Sequence, residues 1–310
     1  MRVTSGSARA NDVAAVNAAK ASILPTVTPL GVTGTQPGAV LSLSTTPGAT
    51  ISWYNVYGAL SGFTWATAGL KLGAVDDASK ACLFTALACS LTRAGEQTLT
   101  VYDNLLPWTL TLTQVGHDAR KLTINAAGCN LTSVTLTPAD GITALNVALD
   151  ISDNALTQTC INALFAVLYN KTVLTSASLD ISGDGVAYTL TETNCVRLSD
   201  MMRAGWTVTV PTLPALVITV PVSEDASASG TYELESATGD WVKDATYRLT
   251  KELDAYFGAG YFWKLNKAGS SLHWAIGVNS PDHVQSLDEW VHYTGSEWLS
   301  SVTGSVLESP

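Results

Sequence analysis

The feature that most constrains this chain is a short apolar triplet that returns at a nearly fixed interval. It occurs as Leu99-Thr100-Val101, Leu122-Thr123-Ile124, Leu149-Asp150-Ile151, Leu179-Asp180-Ile181 and Val208-Thr209-Val210, at spacings of 23, 27, 30 and 29 residues. Periods of this length mark units that stack, because a single unit cannot cover its own apolar face. Three stretches, one ahead of the triplets and two between them, read as helices at the 3.6-residue period: Phe84, Leu87, Ala88, Leu91; then Ile161, Leu164, Phe165, Leu168; then Leu198, Met201, Met202. Thr157 is placed to cap the second, and Gly205 closes the third. A strand, a loop, a helix and a return are therefore expected to repeat through the middle of the chain.

Composition divides the rest. Residues 1–70 are expected to form an N-terminal arm, helical over Ala14–Ala21, and a β-rich anchoring segment with a hairpin over Val40–Ser44 and Thr50–Tyr57. Residues 71–210 hold the repeats. A Pro-marked linker spans 211–222, and 223–310 form an aromatic, acidic module. That module carries five of the nine Trp and five of the ten Tyr, with 13 acidic against 5 basic side chains out of a whole-chain net charge of −10. The expected class is α+β: a β-rich N-terminal segment, an irregular repeat solenoid, and a small aromatic-rich β C-terminal module.

The repeat residues resemble a known family. Cys129-Asn130-Leu131-Thr132-Ser133-Val134 and Leu149-Asp150-Ile151-Ser152-Asp153-Asn154-Ala155-Leu156-Thr157 are similar to leucine-rich-repeat units. Ser178-Leu179-Asp180-Ile181-Ser182-Gly183-Asp184-Gly185 departs from the pattern by ending in glycines. The stretch Leu149–Val210 resembles degenerate repeats of bacteriophage virion proteins and bacterial surface proteins. Gly230-Thr231-Tyr232-Glu233-Leu234 opens a region similar to small β-modules of phage fibres. The resemblance implies a structural protein on the virion, as a head fibre, decoration or tail-fibre component. Its implied partners are other virion proteins through the N-terminal region, further copies of itself, and a host-surface glycan or protein. A leucine-rich-repeat adhesin of a bacterial surface and a polysaccharide-degrading enzyme are the alternatives; the leading Met1 argues against the first.

Charge and cysteine usage exclude several classes. An acidic chain without a basic cluster cannot neutralise phosphates, so nucleic acid is not an expected partner. The most apolar stretch, Leu213–Val222, is half the length of a span and holds two prolines, so membrane insertion is not expected. No secretory leader opens the sequence, which suits a chain made in a host cytoplasm and carried on a virion. Cys82, Cys89, Cys129, Cys160 and Cys195 are odd in number and lack metal-ligand spacing, so they are read as buried apolar side chains.

Two sets of residues remain as candidate sites. Tyr256, Tyr261, Trp263 and Trp274 are the aromatic candidates for stacking on a glycan or host surface, against the competing reading that a small β-domain needs them for its core. Asp150 and Asp180 end successive units and form a weak candidate pair for a hard cation. The competing reading makes them turn caps. No nucleophile elbow, phosphate loop or His-Glu-x-x-His motif occurs, so a non-enzymatic role without a cofactor is expected.

Overall fold

The computed structural model describes residues 50–53, 56–64, 69–74, 81–91, 95–116, 121–183, 188–219, 226–253, 261–269, 273–276, 289–293, 298–303 and 305–309. The Ala14–Ala21 helix and the Val40–Ser44 arm of the expected hairpin lie outside them. The chain divides into two compact units, Met1–Cys160 and Ile161–Pro310.

In the first unit nine strands follow one another: β1 (Thr50–Trp53), β2 (Tyr57–Thr64), β3 (Gly69–Leu72), β4 (Leu83–Ser90), β5 (Gln97–Val101), β6 (Trp108–Val115), β7 (Lys121–Asn125), β8 (Leu131–Pro138) and β9 (Ala144–Asp150). They alternate between two parallel sheets. Odd-numbered strands pair in the order β1-β3-β5-β7-β9 and even-numbered strands in the order β2-β4-β6-β8. Each turn of chain therefore adds one strand to each sheet. The driving pattern is alternation, with apolar residues inward and Thr, Ser or Ala outward. Inward rows run through Leu70, Leu99, Ile124 and Leu149 in one sheet. In the other they run through Leu60, Leu87, Leu110 and Val134. Every one of these side chains is buried.

This overturns the α+β class and its leucine-rich-repeat solenoid. The chain is β-rich, built from parallel and antiparallel sheets, with two α-helices among the described residues. The expected helix over Phe84–Leu91 is strand β4. Its misleading period has a local cause. The register of β4 on β2 shifts between Phe84 and Ala86, so one residue is inserted there. The inward set becomes Phe84, Leu87, Cys89, Leu91, and its first step imitates a helical i, i+3 spacing. The triplet register also differs from its sequence alignment, because Leu99 lies against Ile124 rather than Leu122.

Turns in the coil are held by buried asparagines. Between β5 and β6, Asn104 accepts from the Phe84 N–H (3.1 Å) and donates to the carbonyls of Phe84 (3.0 Å) and Leu106 (2.7 Å). After β9, Asn154 accepts from the N–H groups of Cys129 (3.0 Å) and Leu131 (2.8 Å). Its amide donates to Ala126, Ile151 and Ser152. Helix α1 (Gln158–Leu168) then begins where the coil would otherwise add an even-numbered strand to β8. Thr157 caps it by accepting from the Cys160 N–H at 3.2 Å. At the open edge of β8, the Val134 N–H donates to the Cys160 thiol at 3.1 Å, and the Thr157 N–H donates to the Thr132 carbonyl.

In the second unit, β10 (Thr172–Val173) and β11 (Ser178–Asp180) precede helix α2 (Glu192–Arg203) and β12 (Thr207–Thr209); β12 pairs with β11 in parallel. Thr191 caps α2, and Leu198, Met201 and Met202 are buried as the stripe predicts. Nine strands follow: β13 (Ala215–Thr219), β14 (Gly230–Glu235), β15 (Asp240–Val242), β16 (Tyr247–Leu253), β17 (Tyr261–Lys267), β18 (His273–Ile276), β19 (Glu289–Tyr293), β20 (Trp298–Thr303) and β21 (Ser305–Ser309). They form an antiparallel meander in the order β20-β19-β18-β17-β16-β15-β14-β13-β21.

The two edges of that sheet are consecutive in sequence. Thr303 ends β20 and Ser305 begins β21, so the edges lie within about 7 Å of each other at that point. The sheet is therefore closed. β20 and β21 are one bent stave that pairs with β19 in its first half and with β13 in its second. The result is an eight-staved up-and-down barrel. Its inward face carries Ile218, Tyr232, Leu234, Trp241, Tyr247, Leu249, Trp263 and Leu265, all buried.

Candidate functional site

The sequence places recognition in the aromatic C-terminal module, and the barrel decides which of those rings a partner can reach. Trp263 has no exposed surface, which corrects its place among the surface-contact candidates. It sits on the inward face of β17, opposite Lys251 of β16. The Arg203 guanidinium lies 5.3 Å from the centre of its ring and the Lys251 ammonium 5.9 Å. Tyr261 and Trp274 occupy β17 and β18, where they are the register partners of Leu253 and Leu265. Tyr256 lies outside the described residues.

Each end of the barrel is covered by a different piece of chain. At the end formed by the β14–β15 turn, the last residues of β16 and the start of β17, helix α2 is seated. Ser199 donates to the Gly239 carbonyl at 2.5 Å, and Arg203 donates to the carbonyls of Gly239 and Lys251. Arg203 also pairs with Asp240 at 2.6 Å, and Lys251 reaches both oxygens of Asp200 at 2.9 and 2.8 Å. Gly239 is required here. Its φ is +71°, and a Cβ would stand 2.4 Å from the Ser199 carbonyl oxygen. At the other end, the 3-10 turn Ala226–Ala228 packs inward through Ala228. Tyr232 donates its hydroxyl to the Ala228 carbonyl at 2.6 Å, and the Tyr247 and Ser227 hydroxyls are 2.5 Å apart.

Outside the barrel, Arg248 bridges Glu235 (2.7 Å) and Asp240 (3.0 Å). The Arg248 hydrogen bond, seconded by that of Thr238, holds the Glu235 carboxyl below its ordinary range. Asp244 is lowered as well, chiefly by the Thr246 N–H. Sequence reading did not find this charged set. Its members, Arg203, Glu235, Asp240 and Arg248, are far apart in the chain and carry no motif. Arg203 alone gave a signal, as a cation in the last turn of a legible helix.

The strand-end acids are turn caps. Asp150 accepts from the Ser152 N–H at 3.4 Å and from its hydroxyl at 2.8 Å. Asp180 repeats the arrangement with Ser182 at 3.0 and 2.6 Å. No cluster of three or more metal-ligating side chains occurs among the described residues. None of the five cysteines is in a disulfide, and all are buried. Burial pushes the Cys89 thiol up to about 12 and the Cys129 thiol up to about 11, far from the range of a nucleophile.

The outward face of the even-numbered sheet has a distinct chemistry. Three rows cross it in register: Ala86, Thr109, Ser133; Ala88, Thr111, Thr135; and Ser90, Thr113, Thr137. It presents small, uncharged side chains in rows across a parallel sheet. No family model, no curated protein and no solved structure matches this chain.

Proposed function

We propose that the chain is a structural protein displayed on a bacteriophage particle, as a head fibre, decoration or tail-fibre component. In this reading the N-terminal region anchors it to other virion proteins, copies associate with one another, and the barrel meets a glycan or protein of the host surface. The observation that carries the reading is the parallel coil. Its strands recur turn after turn, its core rows are aliphatic, and its even-numbered sheet offers a small-residue face. Five buried cysteines, none in a disulfide, support folding in a reducing cytoplasm before assembly. Host contact falls to the barrel's outward face, where Thr231 and Glu233 are exposed, and to the β15–β16 turn, where Asp244 is exposed, since Trp263 is enclosed.

The test is immunogold labelling of particles banded from a lysate of the source culture, with antibody raised against the full chain. Gold at a fixed position on intact particles is expected. Antigen confined to the bacterial envelope would replace the reading with an adhesin. Antigen confined to the soluble fraction would overturn display altogether.

A further inference from the structure

The two sheets of the first unit differ in charge. Strands β2, β4, β6 and β8 have 8 residues each and no charged side chain, in a chain whose residues are 14% charged. The odd-numbered sheet does not share this. Its outward positions include Lys71, Lys121 and Asp150, and Lys121 pairs with Glu96. A sheet face turned to water ordinarily carries charge, which keeps copies apart. On the neutral face Thr109, Thr135 and Thr137 are exposed, beside Ala86, Ala88 and Thr111. A second feature adjoins that face. Four large aliphatic side chains are exposed among the described residues, and two of them, Leu105 and Leu106, stand in the corner that leads into β6. The Asn104 amide holds this corner by donating to the Leu106 carbonyl at 2.7 Å. Pro107, also exposed, joins it to β6.

We propose that a second copy of this chain docks face to face on the even-numbered sheet, with Leu105 and Leu106 as apolar anchors at its rim. The proposal rests on the self-association within the display reading and names its face. Charge selects the occupant. Each copy has a net charge of −10, so two copies repel least where neither carries a charged side chain. The face is also complementary to itself. A threonine hydroxyl both donates and accepts, so hydroxyls of one copy pair with those of the other across a two-fold axis. Alanine loses no rotamer freedom when covered, and threonine, branched at Cβ, loses little. Four strands about 4.8 Å apart, each of 8 residues at about 3.3 Å per residue, cover about 500 Å² per copy. A pair then buries about 1,000 Å², the lower limit for a specific contact, to which the leucines add.

The test is sedimentation equilibrium of the full chain from about 1 to about 100 µM, where a monomer–dimer equilibrium is expected. In parallel, hydrogen exchange of the wild-type chain at both ends of that range gives a readout that needs no variant. Protection should rise with concentration in β6, β8 and the corner 104–107, and stay constant in the barrel. Thr111→Lys and Thr135→Lys set like charges against each other across the contact, so each should weaken the dimer about a hundredfold. Thr123→Lys, on the outward face of the odd-numbered sheet, should leave it unchanged. Leu105→Ala and Leu106→Ala should each weaken it about tenfold. A chain that stays monomeric at about 100 µM overturns the proposal and leaves the face to a different virion protein. So does a dimer that Thr123→Lys breaks and Thr111→Lys does not. Gold at a fixed position on particles, with a chain that is monomeric in solution, would keep display and remove this face. A dimer through this face without gold on particles would do the reverse.

Discussion

Replacing Asn154 by alanine tests whether the coil is held by its corners. The side chain is buried and satisfies two backbone donors, the N–H groups of Cys129 and Leu131, which belong to the preceding turn of chain. Alanine leaves both donors in the interior without acceptors. Each orphaned buried group costs about 1–3 kcal/mol, so the pair costs about 2–6 kcal/mol. The three carbonyls that lose the amide, those of Ala126, Ile151 and Ser152, add to this where water does not reach them. The measurement is urea unfolding combined with hydrogen exchange read by mass spectrometry over residues 126–136. Protection should fall most at Cys129 and Leu131. Asn154→Asp should be as damaging, because it turns a carboxylate oxygen toward the same carbonyls. A loss below about 0.5 kcal/mol, with exchange at Cys129 and Leu131 unchanged, would refute the bridging role and the corner register with it.

Cys160→Ala should cost about 1–3 kcal/mol in the same urea assay, since it removes the acceptor from the Val134 N–H on the open edge of β8; Cys160→Ser should recover part of the loss. Thiol titration with a chromogenic disulfide at pH 8 should find Cys89 and Cys129 unreactive in the folded chain, and all five thiols reactive in denaturant, because burial raises both pKa values. Acid should weaken the barrel in a defined direction. The folded Glu235 and Asp244 carboxyls lie below their unfolded values, so their contribution is present above about pH 4 and is lost as pH falls through the folded values. Glu235→Gln should flatten the acid limb of a melting-temperature profile, and an unchanged limb would detach Glu235 from it.

Some of this was legible residue by residue. The stripes of α1 and α2 needed only a 3.6-residue count, and Thr157 sits where a helix start needs an acceptor. The triplets Leu99–Val101 and Leu122–Ile124 do mark strands that stack. Asp150 and Asp180 were readable as turn caps, because a serine follows each by two residues. The β4 stretch failed because one inserted residue changes the inward spacing, and a linear pattern cannot tell a bulge from a helical turn. The fate of Trp263 failed for a different reason. Alternation along β17 assigns it a face, but whether that face meets water depends on where β20 and β21 meet their neighbours.

Local chemistry by itself determined most of the alternating strands, the stripes and N-caps of α1 and α2, and the turns closed by Asp and Ser. These depend on residues within one or two turns of one another, where backbone geometry and side-chain spacing suffice. Tertiary structure alone decided that odd and even strands separate into two parallel sheets, that Leu99 lies on Ile124, and that a nine-strand meander closes on itself through a single residue. It also decided that Arg203 meets Asp240 and that Trp263 is enclosed. The physical reason is the range of the interactions. Register and closure are set by the sum of many weak contacts between segments 20 or more residues apart, and no short stretch of chain carries that sum.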